Sequence, residues 1–244
     1  IKSFKKIVEK DKLYFENFDQ NDAEEFITLL FDMFHKILKK SYNGTNENKQ
    51  WIDVYKNDYS LIVDYFYNQS KLHTLCTDCN HEIFRYEPSF IYQLCINDSV
   101  NSIEDAFRLD CQSESMDDYT CDHCKKKAVC LHKKKYNRLS DLMVVQLKLY
   151  NKCGKINRHI KYSESLDMTP YTVEQEKTIY DLVGFVVHMG NLNGGHYYSI
   201  CKNLIDKKWR LYNDTQVKIL NQNQIFSQKP YVLFYKRRKI NNHP

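Results

Sequence analysis

An α+β fold is what the patterning of this 244-residue chain predicts. Three observations carry it. A strongly amphipathic helix comes early, short alternating runs dominate from Lys71 onward, and two Cys-x-x-Cys pairs, Cys76/Cys79 and Cys121/Cys124, break into those runs. Helices gathered at one end and strands at the other segregate into α+β layers, whereas parallel sheets need strands and helices in alternation. A hydrophobic content of 42%, of which much is aromatic, is enough for a sizeable core at this length.

The first helix is announced by Asn21 with Glu24 three residues on, an N-cap and capping-box pattern. Behind it Ala23, Phe26, Ile27, Leu30, Phe31, Phe34, Ile37 and Leu38 recur at helical spacing and predict one buried face. Asp22, Glu24 and Glu25 fall in the first turn, where negative charge suits the helix dipole. Residues 41–50 read as an exposed polar connection, and 57–67 as a second helix with Tyr59, Ile62, Val63 and Phe66 on one side. Strands are then expected at 83–86, 90–96, 125–135, 141–150, 180–188, 197–201, 209–212 and 231–235. Ser102 with Asp105 caps a short helix to Leu109. The closing tetrad Lys236–Lys239 reads as a solvated end.

Two Cys-x-x-Cys knuckles suit tetrahedral Zn²⁺, so Cys76, Cys79, Cys121 and Cys124 are candidate ligands to one structural ion. The 41 residues between the pairs exceed the roughly 15–20 of a simple zinc ribbon, so that interval must hold structure of its own. Cys95, Cys111, Cys130, Cys153 and Cys201 show no such pairing, and His81 and His123 are bystanders. Nine cysteines, odd in number and partly in metal spacing, indicate a reducing intracellular compartment, cytoplasmic or nuclear. A net charge of +5 with acids and bases intermixed gives little reason to expect nucleic acid. No run approaches the ~20 apolar residues of a membrane span. The chain opens on Ile1 rather than methionine, which suggests a piece of a longer polypeptide.

The chemistry concentrates in 187–217. Alternating runs on either side of Asn203–Lys207 predict an antiparallel hairpin, and a turn centred on Leu204 and Ile205 sets His196 opposite Asn213. Directly opposed side chains lie roughly 4.5–5.5 Å apart at Cβ, within reach of a hydrogen bond that fixes the imidazole tautomer and frees the other nitrogen to act as a base. Gly194 and Gly195, lacking Cβ, leave the ring open to a close substrate backbone.

With these residues in place the chain resembles the ubiquitin-specific proteases, papain-like cysteine peptidases. Gln20-Asn-Asp-Ala-Glu-Glu-Phe26 is similar to that family's Gln-Gln-Asp-Ala-x-Glu-Phe helix start, and the two knuckles to its zinc-bearing fingers. Leu142–Tyr150 resembles its Leu-Lys-Arg-Phe strand, Val183–Tyr198 its histidine box, and Trp209–Val217 its Trp-x-x-Phe-Asp/Asn-Asp segment. The resemblance implies a helical thumb over 1–68, fingers over 69–140 and a mostly antiparallel palm over 141–244. It implies hydrolysis after the C-terminal glycine of ubiquitin, with His196 as general base, Asn213 as its orienter and Asp214 as an auxiliary acid. Asp22 and Glu25 would receive the arginines of the ubiquitin tail, and Gly194, Gly195 and Tyr197 would line its channel. Ubiquitin or a ubiquitinated protein is the implied partner.

One departure is plain. The family's nucleophile sits in a Gly-x-x-Asn-x-Cys box well upstream of the acidic helix, and no such box occurs here. Asn151-Lys-Cys153 imitates a fragment of it in the turn after a core strand. Three explanations follow: a box upstream in the full protein, a partner that supplies it, or a pseudoenzyme that only binds ubiquitin. A zinc-dependent nucleic-acid module is a further and weaker reading.

Overall fold

This computed structural model describes Phe4 and residues 21–41, 49–151, 154–191 and 194–239; Gln20, residues 42–48 of the connection expected at 41–50, and Cys153 lie outside them. Helix α1, Ala23–Ile37, is capped one residue later than the Asn21 pattern implies. Asp22 is extended and its carboxylate accepts the Glu24 N–H at 2.7 Å, while the Glu24 carboxylate accepts from the Thr28 hydroxyl instead of closing a box. Only the first part of the apolar stripe is used. Ala23, Ile27 and Phe31 meet the core and Leu29 is buried, whereas Phe34, Ile37 and Leu38 stay exposed among the described residues.

The single helix expected at 57–67 is instead a two-residue strand followed by a short helix, and a further short helix precedes them. Helix α2, Lys49–Tyr55, and helix α3, Leu61–Phe66, are separated by strand β2, Tyr59–Ser60, which pairs with β1, Lys39–Lys40. Ser60 stops the helix from reaching further back: its backbone is extended and its hydroxyl accepts the N–H groups of Ile62 and Val63. Trp51, Tyr55, Tyr59 and Val63 form a small core of their own, lidded by the Arg138 guanidinium 4.1 Å from the Trp51 ring.

Strands β3 (Asn68–Cys76) and β4 (Glu82–Ser89) form a hairpin whose turn holds the first knuckle. Strand β5 (Ile91–Cys95) and helix α4 (Ile103–Asp110) then depart before β6 (Glu114–Thr120) and β7 (Lys127–Arg138) return to complete a four-stranded antiparallel sheet in the order β4-β3-β7-β6. The span 69–140 is therefore not one body. β5 runs parallel to β8 (Leu142–Lys148) in the larger sheet, and Phe107 of α4 is buried in the main core. The capping box of α4 is the Ser102/Asp105 pair the sequence predicts.

After β8 come the small hairpin β9 (Tyr150–Asn151) and β10 (Gly154–Lys155), then β11 (Ser165–Asp167), β12 (Ile179–Asn191), β13 (Gly194–Lys202), β14 (Trp209–Asn213), β15 (Gln216–Leu220), helix α5 (Gln222–Phe226) and β16 (Pro230–Arg237). The large sheet has the order β15-β14-β13-β12-β16-β8-β5, with β11 also on β12. Its middle is sealed on both faces: Met143, Val144, Val145, Val232, Leu233 and Tyr235 are fully buried, which the near-continuous apolar runs of β8 and β16 require. The sheet opens towards β13, β14 and β15, and that half-exposed margin carries the histidine. In the basic tetrad Lys236 and Lys239 are exposed as expected, while Arg238 is held by Asp181. Among the described residues no helix is long and apolar enough to cross a membrane.

Candidate active site

The β13–β14 hairpin is shifted from the expected register. Ser199 pairs with Tyr212 and Lys202 with Trp209, so the turn centres on Ile205 and Asp206, and a continued ladder sets Asn213 beside Tyr198. Asn203 causes the shift. Its side chain accepts the N–H groups of Ile205 and Asp206, its backbone closes on Lys208, and Lys207 takes a positive φ of 58°, which together make a wider loop than a two-residue turn. The offset amounts to two positions along one strand. Side chains alternate with period two, so such an offset leaves both residues on the same face, where an offset of one separates them. His196 Nε2–H donates to Asn213 Oδ1 at 2.5 Å, diagonally across the ladder.

That bond leaves Nδ1 of His196 as the nitrogen with a free lone pair, on a ring whose side chain is 41% exposed. Asp214 follows in the turn to β15 with φ 49°, and its carboxylate stands 3.8 Å from Nε2, at the limit of an ion pair and largely in water. The arrangement is that of an imidazole held by one orienting bond, with a carboxylate close by.

The glycines serve a purpose the sequence does not announce. A Cβ on Gly195 would lie 2.2 Å from His188 Nε2 and 2.3 Å from the Met189 carbonyl oxygen, so the space expected to admit a substrate is filled by the neighbouring strand's own imidazole. Gly190, at φ 142°, would likewise drive a Cβ into the Gly194 carbonyl. Gly194 is itself at positive φ.

His188 organises the ground beneath the candidate site. Its Nδ1 accepts from the Tyr150 hydroxyl at 2.6 Å and faces Lys155 Nζ at 3.3 Å, and its ring stacks on Tyr197 at 4.5 Å. Burial, with Lys155 adding to it, holds this imidazole below its ordinary value, so it sits neutral and acts as an acceptor. The hydroxyls of Tyr197 and Tyr231 both donate to Asp22 Oδ2, at 3.2 and 2.8 Å, and Gln146 donates to the Tyr231 oxygen. Burial pushes both phenols well up, and Asp22 pushes them further, so neither ionises near neutrality. Asp22 thus joins the thumb helix to β13 and β16. Glu25, by contrast, is exposed. Sequence reasoning missed His188, Tyr150, Tyr231 and Lys155; the available signal was a second histidine two residues before Gly190 on the same strand.

At the far end of the small sheet Cys76, Cys79, Cys121 and Cys124 converge, all four sulfurs lying within 4.8 Å of one another. Tetrahedral zinc with bonds of about 2.3 Å needs sulfurs roughly 3.8 Å apart. Cys79 and Cys121 are at 3.7 Å. The backbone N–H groups of Cys124 and His123 point at the Cys121 sulfur and hold its thiol down, while Cys79 in the same cluster, against the pull of the His81 N–H, is pushed up by burial and neighbouring thiols. The donor set fits Zn²⁺. His81 and His123 stack on each other at 4.8 Å outside the sulfur cluster.

A family model for ubiquitin carboxyl-terminal hydrolases matches residues 2–235. Curated relatives include Ubiquitin carboxyl-terminal hydrolase Usp2 of Drosophila melanogaster, 27% identical over 251 residues and covering 93% of this chain but 27% of the relative. Ubiquitin carboxyl-terminal hydrolase 4 of Saccharomyces cerevisiae is 28% identical over 274 residues, covering 91% of this chain and 29% of the relative. Among solved structures, the SAGA DUB module of Ubp8, Sgf11, Sus1 and Sgf73 bound to monoubiquitin superposes with a TM-score of 0.81 at 23% identity, over 96% of this chain and 52% of that one. The same module bound to ubiquitin aldehyde gives 0.80 at 24% identity, over 96% and 53%. The fold is thus that of the ubiquitin-specific proteases, and the chain spans between about a quarter and a half of the proteins it matches. By the extent of the family match, this chain belongs to the ubiquitin carboxyl-terminal hydrolases.

Proposed function

We propose that this chain is most of the catalytic domain of a deubiquitinating cysteine protease, hydrolysing the isopeptide or peptide bond after the C-terminal glycine of ubiquitin. The observation that carries the reading is the 2.5 Å bond from His196 Nε2 to Asn213 Oδ1, which leaves Nδ1 free to take a thiol proton. In the reaction a thiolate adds to the scissile carbonyl. His196 then protonates the departing lysine amine to leave a thioester, and activates the water that hydrolyses it. Asn213 keeps the ring in that tautomer, and Asp214 stands beside it as an auxiliary acid.

The thiol comes from polypeptide other than the described residues, since none of the cysteines among them contacts His196. Asp22 and Glu25 are proposed to face the arginines of the ubiquitin tail, with Glu25 the more available because Asp22 already holds two phenols. Gly194, Gly195 and Tyr197 would border the tail's path. Zn²⁺ on Cys76, Cys79, Cys121 and Cys124 would be structural, holding the tip of the small sheet together.

The test is a ubiquitin probe with a C-terminal electrophile, incubated with the full-length protein. Covalent labelling of a cysteine, abolished by His196→Ala, is the expected result. Tight binding without labelling would instead favour a catalytically inactive ubiquitin-binding scaffold.

A further inference from the structure

Residues 148–161 include Lys148, Lys152, Lys155, Arg158 and Lys161 and no acid. Part of this stretch, with Lys229, walls a cavity of about 140 Å³ whose lining includes Lys155, Arg158, Lys229, His188, Met189 and Gly190; among the described residues no carboxylate lines it. Its cations are held by carbonyl oxygens rather than by acids. Lys155 Nζ donates to the carbonyls of His188 at 2.8 Å and Gly190 at 3.1 Å, Arg158 to those of Asn97 and Asp98, and Lys229 to that of Asn157. A carbonyl dipole fixes an ammonium in place and leaves most of its charge uncancelled. Burial, and then Lys229 beside it, hold the Lys155 ammonium below its usual value, as two cations sharing one wall require.

The cavity also has an address. Met189, the direct ladder partner of His196, and Pro230, on the next strand beyond it, both line the cavity, so the recess lies between about one and two strand spacings, roughly 5–10 Å, from the His196 position. It is on the side of His196 away from Asn213. A peptide spans at most ~3.3–3.6 Å per residue, so a group about three residues from the attacked lysine reaches it.

We propose that this cavity is an anion subsite for the ubiquitin-bearing target, taking a carboxylate or phosphate carried within about three residues of the modified lysine. The proposal rests on the reading of His196 as the general base and adds a preference among target proteins to it. A wall of cations with no carboxylate of its own attracts such a group at close range, opposed by Asp22, whose charge also acts on His188, and salt weakens the attraction.

The experiment uses the full-length protein and three substrates. One is ubiquitin bearing a fluorogenic C-terminal amine and no target. The other two are ubiquitin linked through lysine to a peptide with alanine, or with glutamate or phosphoserine, two and three residues away. The expected result is a kcat/KM about 5–20-fold higher for the acidic peptides than for the alanine one, shrinking as salt rises. Glutamate and phosphoserine in parallel distinguish the two sources of the anion. Lys229→Glu should erase or invert the preference while changing the fluorogenic rate by less than about twofold. Equal rates on all peptides, with the fluorogenic substrate cleaved normally, would overturn the subsite and leave the protease reading intact. If no substrate is cleaved, the protease reading fails, and anisotropy binding of the same conjugates decides the subsite: tighter binding of the acidic ones supports it, equal binding removes it.

Discussion

At the tip of the small sheet two knuckles of like sequence fold alike, whereas at the margin of the large one a single histidine is set by parts drawn from the whole length of the chain. In the first knuckle the Asn80 N–H bonds the Cys76 carbonyl at 2.9 Å and the Cys76 N–H bonds the His81 carbonyl at 3.0 Å. In the second, Lys125 and Cys121, then Cys121 and Lys126, repeat both bonds at the same distances. Asn80 and Lys125 even share a left-handed backbone, φ 55° and 58°. Each half-site is therefore specified within about six residues. His196 instead depends on Asn213 across a loop, on Gly195 making room for His188, and on Tyr197 meeting an Asp22 that is 175 residues away. A locally specified site tolerates distant change and fails by losing a ligand; the other fails by small displacements.

Four measurements would break or sharpen that contrast. The largest effect belongs to His196→Ala, which should lower kcat/KM of the full-length enzyme by about 10³–10⁴-fold while leaving zinc content and Tm near wild type. Cleavage at the normal rate would remove His196 from the mechanism. Next, elemental analysis should find one zinc per chain, and Cys121→Ser should abolish its binding and lower Tm by roughly 10 °C. A metal-free wild type would reassign the four sulfurs as ordinary thiols. Asn213→Ala removes a hydrogen bond to a group that becomes charged, about 1.5–3 kcal/mol, and so costs about 10–100-fold in kcat with little change in KM. Asn213→Asp should restore most of that, and failure to do so would mean the side chain is structural only.

The smallest effect is a pH dependence. His188 has its pKa depressed in the fold, so the folded state binds fewer protons than the unfolded chain once the pH drops below the ordinary imidazole value, near 6.5. Its contribution is whole above that value and is lost as the pH falls through the folded one. Between pH 7 and 5 the wild type should therefore lose more Tm than His188→Gln; equal losses would show that His188 is not held neutral.

Much of this was legible in the residues because it is local or periodic. The Cys-x-x-Cys spacings, the Ser102/Asp105 box and the apolar runs of β8 and β16 each depend on near neighbours, and each stands where the sequence puts it. The hairpin register did not, because the Asn203 side chain competes with the backbone for the turn and widens it. The pairing of His196 with Asn213 survived only because the offset preserved parity. The split of 57–67 into β2 and α3 was hidden since Ser60 reads equally well as a helix residue or a cap. The filling of the Gly195 space by His188 was beyond reach, as nothing in a one-dimensional pattern says which strand lies alongside.

The excursion of β5 and α4 between the knuckles would give a metal on the four cysteines a second significance. Closing a ring through Cys79 and Cys121 encloses the 41 intervening residues, a part of the larger sheet among them, so ion capture and completion of that sheet share one loop-closure entropy. Synthesis of the chain would then leave the first thiol pair waiting until the palm-bound segment has docked, and a cell short of zinc would accumulate molecules whose two knuckle-bearing hairpins had never been stapled together.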